Sequence, residues 1–325
     1  MLTRCFGRGK RGHGDLAEIR PVRGMRVASS LPRVHPMAQK NSVTSEPKVI
    51  WCDGRLIDVD AFRVSSADRG LLHGHGLFET MLCLDGRVVF ASRHLDRWAR
   101  SCQRLGWPDR APDLQRVAAS LLTANRLLTG SARLRMTLTA GSGPLDDASP
   151  GRDAVLWMSA SPAEPPPDSC TLALSPWRKN SRSPLAGIKS SCYAENLLAL
   201  AQARACGFDQ ALLLDGDGCL SEAATSNLFF IRSGRLFTPS LATGCLPGVT
   251  RGWVIETASS IGMPCDEGVF PLADLESADG AFLTSSIRGV VPVVRFGTRD
   301  LPVTPQTSVL RDAWNVAVAD PALSG

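Results

Sequence analysis

Three dipeptides set the architecture that this chain can adopt. Asp53-Gly54, Asp85-Gly86 and Ser233-Gly234 each separate two strand-forming runs: VIWC from RLI, FETMLCL from RVVFA, and NLFFI from RLFTP. A two-residue loop of this kind needs positive φ, which Gly adopts at little cost, and it joins antiparallel neighbours. Helical patterns lie between the hairpins. Leu95, Trp98, Cys102 and Leu105 share one face of a helix that Ser92 caps and Gly106 stops. A second helix is expected over Pro112–Leu128, with Leu114, Val117, Leu121 and Leu128 inward. ARLRMTLTA and AVLWMSA read as strands around a Gly/Asp/Pro-rich loop, 141–153.

SPAEPPPDS, residues 161–169, is the linker, because consecutive prolines favour an extended segment without hydrogen bonds. It divides the chain into a small mixed domain, 48–160, and a second domain, 170–325. The second domain reads as a TLALSPW strand, a helix from Tyr193 to Ala205, strands QALLLD and CLSE, a helix after Pro247-Gly248, two strands around SSIRG, and a helix over 307–319. The class is α+β, a mixed α/β fold.

Composition excludes several functions. The net charge of +5 is misplaced evidence for a nucleic-acid partner: residues 1–40 hold nine basic and two acidic side chains, and the remaining 27 basic and 29 acidic residues nearly cancel. No run of eighteen apolar residues occurs, so no membrane span is expected. The ten cysteines include no CxxC pair and the histidines no HExxH, so no metal site is expected. Scattered cysteines in apolar patterns suit a reducing compartment, hence the cytoplasm. Residues 1–47 read as a disordered tail or as a basic targeting peptide leading to an organelle, with Met37 as an alternative start. The GxGxxG at Gly7, Gly9 and Gly12 follows no strand and carries no nucleotide argument.

Four features point to chemistry. From residue 49 onward the chain has two lysines, 179 and 189, against two dozen arginines. Lys189 follows Ala186, Gly187 and Ile188. Burial lowers a lysine's pKa, and a neutral amine can attack carbonyls or move protons; the plain alternative is a snorkelling lysine at a strand end. Tyr193, the single tyrosine, lies four residues on and could hydrogen-bond near the amine, or simply open a helix. Glu222 ends a buried strand, where a carboxylate can keep a pyridine nitrogen protonated, or where a loop begins. Gly248, Val249 and Thr250 start a helix whose N–H groups and hydroxyl can hold a phosphate, or be capped by Thr250 alone. Ser285 and Ser286 add hydroxyls between two strands. Arg97 could add a cation, although Arg93, Arg97, Arg100 and Arg104 read together as a solvated stripe.

These segments, in this order, resemble the class IV (fold-type IV) pyridoxal-phosphate enzymes: branched-chain aminotransferases, D-amino-acid aminotransferases and 4-amino-4-deoxychorismate lyases. DRGLLHGHGLFET is similar to the family's DRG…GDGxFET, with His75 where Asp is usual. RHLDRWARS, LAGIKSSCYAEN, LSEAATSNLFFI, LPGVTR and LTSSIRGVVPV are similar to five further signatures. The resemblance implies a fold with a small N-terminal α/β domain and a larger C-terminal pseudo-barrel. It also implies pyridoxal 5'-phosphate as cofactor, a small-molecule amino substrate and a homodimer. Lys189 would be the attachment lysine and proton carrier, and Glu222 the ring-nitrogen partner. Arg97, Val249, Thr250, Ser285 and Ser286 would hold the phosphate, with Tyr193 near the cofactor's phenolic oxygen. TLALSPWRKNSRSPLAGIK and Glu195-Asn196 are most similar to the lyase branch, and Thr80 would protonate the departing group there. Aminotransferases, or a cofactor-binding protein without turnover, are the alternatives. Ala140 stands where many lyases and D-amino-acid enzymes carry an arginine that could anchor a carboxylate.

Overall fold

The computed structural model describes residues 48–322; the expectations for the N-terminal tail lie outside the described residues. Six strands form an antiparallel sheet in the order β2-β1-β6-β5-β3-β4. They are β1 (Val49–Cys52), β2 (Arg55–Asp58), β3 (Gly76–Leu84), β4 (Arg87–Val88), β5 (Ser131–Thr139) and β6 (Leu156–Pro162). Short helix α1 (Arg69–His73) precedes β3, and α2 (Ala91–Leu105) and α3 (Leu114–Ala124) pack behind the sheet. Leu77, Met81 and Cys83 of β3 and Leu134, Met136 and Leu138 of β5 meet Trp98, Cys102 and Leu121 of the helices in one core. Alternation dictates this: every second residue of each strand faces the helices.

The second sheet is nearly a closed ring. It contains β7 (Cys170–Lys179), β8 (Gln210–Asp215), β9 (Leu220–Ala223), β10 (Ser226–Arg232), β11 (Arg235–Pro239), β12 (Cys265–Gly268), β13 (Gly280–Ser285), β14 (Gly289–Phe296) and β15 (Arg299–Asp300). The path β10-β13-β14-β7-β8-β9 is closed by pairing of β9 with β10. Leu172, Leu212, Leu228, Phe230, Leu283 and Val293 fill its interior. Helices α4 (Ala194–Ala205), α5 (Val249–Ser260) and α7 (Pro305–Ala319) cover the outside, and α6 (Leu272–Glu276) packs Leu275 against the interior cluster. This is the antiparallel sheet and pseudo-barrel expected of a fold-type IV enzyme.

Local chemistry accounts for the joints. Asp53 and Gly54, Asp85 and Gly86, and Ser233 and Gly234 all have positive φ, as the hairpin reading requires. Three expectations are corrected. Ser92 does not cap α2: Phe90 is the capping residue, with φ 53°, and it makes no side-chain cap. Its ring is held instead by Trp253 and Trp314, so apolar packing fixes the helix start where a hydroxyl was expected. The second helix is shorter at both ends. Asp113 caps it through the Arg116 N–H, and Leu128 lies beyond it, 44% exposed. The strand read as TLALSPW continues to Lys179, past a register irregularity between Leu174 and Arg178.

Candidate active site

The lysine segment is strapped to the first sheet. Phe78 N–H donates to the Lys189 carbonyl, Ser191 N–H donates to the Gly76 carbonyl, and Leu77 bridges Ser190. Arg104 donates to the Ala186 and Pro184 carbonyls from α2. Lys189 therefore sits where the two sheets meet. Its Nζ lies 4.4 Å from the centroid of the Phe78 ring and 5.9 Å from that of Tyr193. Among the described residues no carboxylate forms an ion pair with it. Burial, then the Arg97 and Arg135 charges, bring its pKa down to about 8 against the pull of Glu79 and Glu222.

One member of the arginine stripe of α2 is withdrawn from solvent, while Arg100 and Arg104 stay exposed as expected. Arg97 is buried, and its Nε and Nη2 both bond the Glu79 carboxylate, at 2.8 and 2.6 Å. Its Nη1 donates to the Pro247 carbonyl at 3.2 Å. His94 Nδ1 lies 2.8 Å from Glu79 Oε2. Glu79 opposes burial with the Arg97 charge and these hydrogen bonds, which hold its carboxyl well below the usual carboxylate range. Because that carboxylate can only accept, His94 Nδ1 is the donor. Burial lowers the His94 pKa, so the ring is neutral at pH 7. Arg93 is paired with Glu256, while Arg93, Arg97 and Arg100 line a cleft of ≈ 270 Å³ with Pro247, Gly248 and Val249.

One loop, 246–250, collects the rest. Glu222 Oε2 accepts from the Leu246 N–H at 2.9 Å, and Asn227 Nδ2 donates to the Leu246 carbonyl at 2.8 Å. Glu222, Asn227 and Thr284 form a register row across β9, β10 and β13. Val249 opens α5, and its N-terminus has no side-chain cap. Thr250 Oγ1 is buried without a hydrogen-bond partner. Gly248 is required, since a Cβ there would collide with Asn227 Oδ1. Tyr193 opens α4, and its hydroxyl donates to the Ala224 carbonyl at 2.8 Å, which leaves its lone pairs free to accept. Ser285 and Ser286 follow Thr284 at the end of β13. Ser285 Oγ accepts from the Arg288 N–H at 3.4 Å, and neither serine is bonded to Arg97 or Thr250.

Three participants on β3 and β5 were not anticipated. Phe78 covers the amine. Glu79 shares the helix-facing side of β3 with Leu77 and Met81, so a carboxylate on a core face was a visible signal. Arg135 is the third. It lies on the opposite face of β5 from Leu134 and Met136, with its Cζ 3.9 Å from the Phe78 ring centroid. Among the described residues it has no ion pair. Ala140 is fully buried in the first core, so its side chain does not face the amine.

Comparison with known proteins decides the family. Residues 76–296 match the model of the amino-transferase class IV family. The chain belongs to the class IV aminotransferases. It is a pyridoxal-phosphate-dependent enzyme, a transaminase or a lyase. It is 31% identical over 260 residues to a putative branched-chain-amino-acid aminotransferase of Methanocaldococcus jannaschii, covering 77% of this chain and 88% of that protein. It is 28% identical over 255 residues to the aminodeoxychorismate lyase of Bacillus subtilis, covering 76% and 86%. A branched-chain aminotransferase structure from Thermoproteus uzoniensis, with norvaline, superposes with a TM-score of 0.78 at 26% identity, covering 85% of this chain and 96% of that one.

The residues present fit the class IV cofactor. An uncapped helix N-terminus with an orphaned, buried Thr250 hydroxyl suits a phosphate. A hydroxyl that lacks a partner until an anion arrives gives a signed prediction. Thr250→Val should leave the apoenzyme as stable or more so, and weaken cofactor affinity about tenfold. Fluorescence titration with pyridoxal phosphate and apoenzyme denaturation would measure the two effects.

Proposed function

We propose that this class IV enzyme is a 4-amino-4-deoxychorismate lyase, which releases pyruvate and forms 4-aminobenzoate. The observation that carries the reading is the site-facing side of the first sheet. Thr80 pairs in register with Arg135, and Thr80 lies two residues from Phe78, whose ring touches both Arg135 and Lys189. Strand alternation therefore puts a hydroxyl and an unpaired guanidinium on the face that covers the amine. A lyase needs both: a carboxylate anchor and a proton donor for the departing carbon.

Pyridoxal phosphate, when bound, supplies an electrophilic carbonyl and an electron-accepting ring. The chain's own residues do the rest. Arg97, the Val249 N–H, Thr250 and the Ser285–Ser286 turn hold the phosphate, and Glu222 faces the ring nitrogen. Tyr193 would stand near the phenolic oxygen. Arg135 binds a substrate carboxylate, the charge complement absent at Ala140. Lys189 Nζ removes the proton from the substrate carbon that bears the amine. Thr80 Oγ1 gives a proton to the methylene carbon of the departing enolpyruvyl group, which leaves as pyruvate as the ring becomes aromatic. The homodimer implied by the resemblance belongs to this reading, and light scattering of the holoenzyme tests it.

A second reading is a branched-chain or D-amino-acid aminotransferase, whose branched-chain form is supported by the similarity to the Methanocaldococcus relative. Product analysis separates them. Purified holoenzyme given aminodeoxychorismate should release 4-aminobenzoate and pyruvate with no oxo-acid acceptor. Conversion of the cofactor to its amine form by a plain amino acid, with no 4-aminobenzoate, would sink the lyase. Within the lyase reading, Thr80→Val should lower kcat by roughly 10²-fold or more and leave cofactor attachment intact.

A further inference from the structure

The second lysine of the folded chain is not a bystander. Lys179 closes β7, and its Nζ lies 2.5 Å from Glu222 Oε1. Glu222 is buried, and its oxygens are divided. Oε2 takes the Leu246 N–H at 2.9 Å and Asn227 Nδ2 at 3.4 Å. Oε1 takes Lys179. The oxygen left for a ring nitrogen is thus the one that already carries a cation. A carboxylate oxygen has two acceptor directions, so Oε1 can accept from both.

We infer that Lys179 is a positioning residue that shares Glu222 with the cofactor ring nitrogen and loosens the ring proton in the loaded site. The inference rests on the reading that Glu222 faces that nitrogen. The local chain explains how the lysine arrives. The register irregularity between Leu174 and Arg178 precedes a final pair, Lys179 opposite Asp215, which sets the strand end against β8, whose other neighbour is the β9 that carries Glu222. Charge then sets the direction. An uncompensated carboxylate buried beside a pyridinium would hold the ring proton tightly; a cation on the same oxygen weakens that hold.

The other groups around Glu222 do not duplicate this role. Lys189 and Tyr193 face it from the segment before α4 and from the α4 start, and Cys245 faces it from the loop before α5. Burial pushes the tyrosine and the cysteine up, so both stay neutral at pH 7. Lys189 is consumed in attachment. Among the described residues Lys179 alone is ion-paired with the carboxylate.

The test uses holoenzyme loaded with ring-¹⁵N pyridoxal phosphate, in wild type, Lys179→Met and Lys179→Arg. In Lys179→Met the pH midpoint for loss of the ring proton, read from the ¹⁵N shift, should rise by about one unit. Lys179→Arg keeps the charge and should titrate as wild type. Borohydride reduction with peptide mapping accompanies each sample. Label trapped on Lys189 with the same midpoint in all three proteins overturns the role of Lys179 alone. An arginine variant that shifts as far as the methionine variant also overturns it. Label absent from Lys189 in wild type overturns the site reading itself.

Discussion

Replacing Lys189 with Ala is expected to abolish covalent capture of pyridoxal phosphate and to lower turnover by at least roughly 10²–10⁴-fold, the usual worth of a positioned proton-transfer group. The argument begins with the amine's surroundings. Nζ is beside an aromatic ring, has no carboxylate partner among the described residues, and feels two guanidinium charges. A pKa brought down to about 8 leaves on the order of 10²-fold more neutral amine at pH 7 than an ordinary lysine has. An amine-directed reagent should therefore label Lys189 of the apoenzyme half-maximally near pH 8, roughly two units below an exposed lysine. Lys189→Arg should fail as completely as Lys189→Ala, because a guanidinium does not deprotonate. Mass mapping after borohydride reduction is decisive. Cofactor still trapped in Lys189→Ala, on Lys179 for instance, would refute the assignment.

The sequence made this residue legible for a reason that did not extend to its neighbours. Lysine is scarce in the folded chain, so one between glycine, isoleucine and a helix stands out. Glu222 and residues 248–250 stood out through local position, at a strand end and a helix start. The barrel followed from the family resemblance alone; turn chemistry marked only its hairpins. Glu79, His94, Arg135 and Lys179 escaped because their roles depend on pairing between distant segments. Thr80 meets Arg135 only through a register set across a long connection. Arg97 looked solvated with its stripe because helical periodicity reports a stripe without saying what covers each member; Pro247, from the other sheet's loop, covers Arg97 alone. The helix start at Phe90 was missed for a related reason. A capping residue held only by packing against two tryptophan rings has no local signature.

Glu79 carries the largest expected effect on stability. Arg97 and Glu79 are almost wholly removed from water, with side chains 4% and 2% exposed, and they meet fork to fork. Glu79→Ala strands that guanidinium, and removing one member of a buried pair costs about 3–5 kcal/mol. Urea denaturation of the apoenzyme should show the loss as a fall in midpoint at unchanged slope. Glu79→Leu combined with Arg97→Met removes both charges and should recover most of the stability, since a buried pair replaced by apolar side chains is often neutral. That double variant should still bind the cofactor poorly, because the proposed phosphate cation has gone. The pair thus separates folding from function. The pH dependence has a definite sign. A carboxylate whose folded pKa is depressed stabilises fully above its unfolded pKa and loses that stabilisation as pH falls through the folded value. Because Arg97 holds Glu79 well below the usual carboxylate range, the difference in stability between wild type and Glu79→Gln should be constant from neutral pH down to the ordinary carboxylate pKa and shrink below it. A Glu79→Ala penalty under about 1 kcal/mol, or a difference that grows as the solution is acidified, would show that the pair does not hold the helix to the sheet.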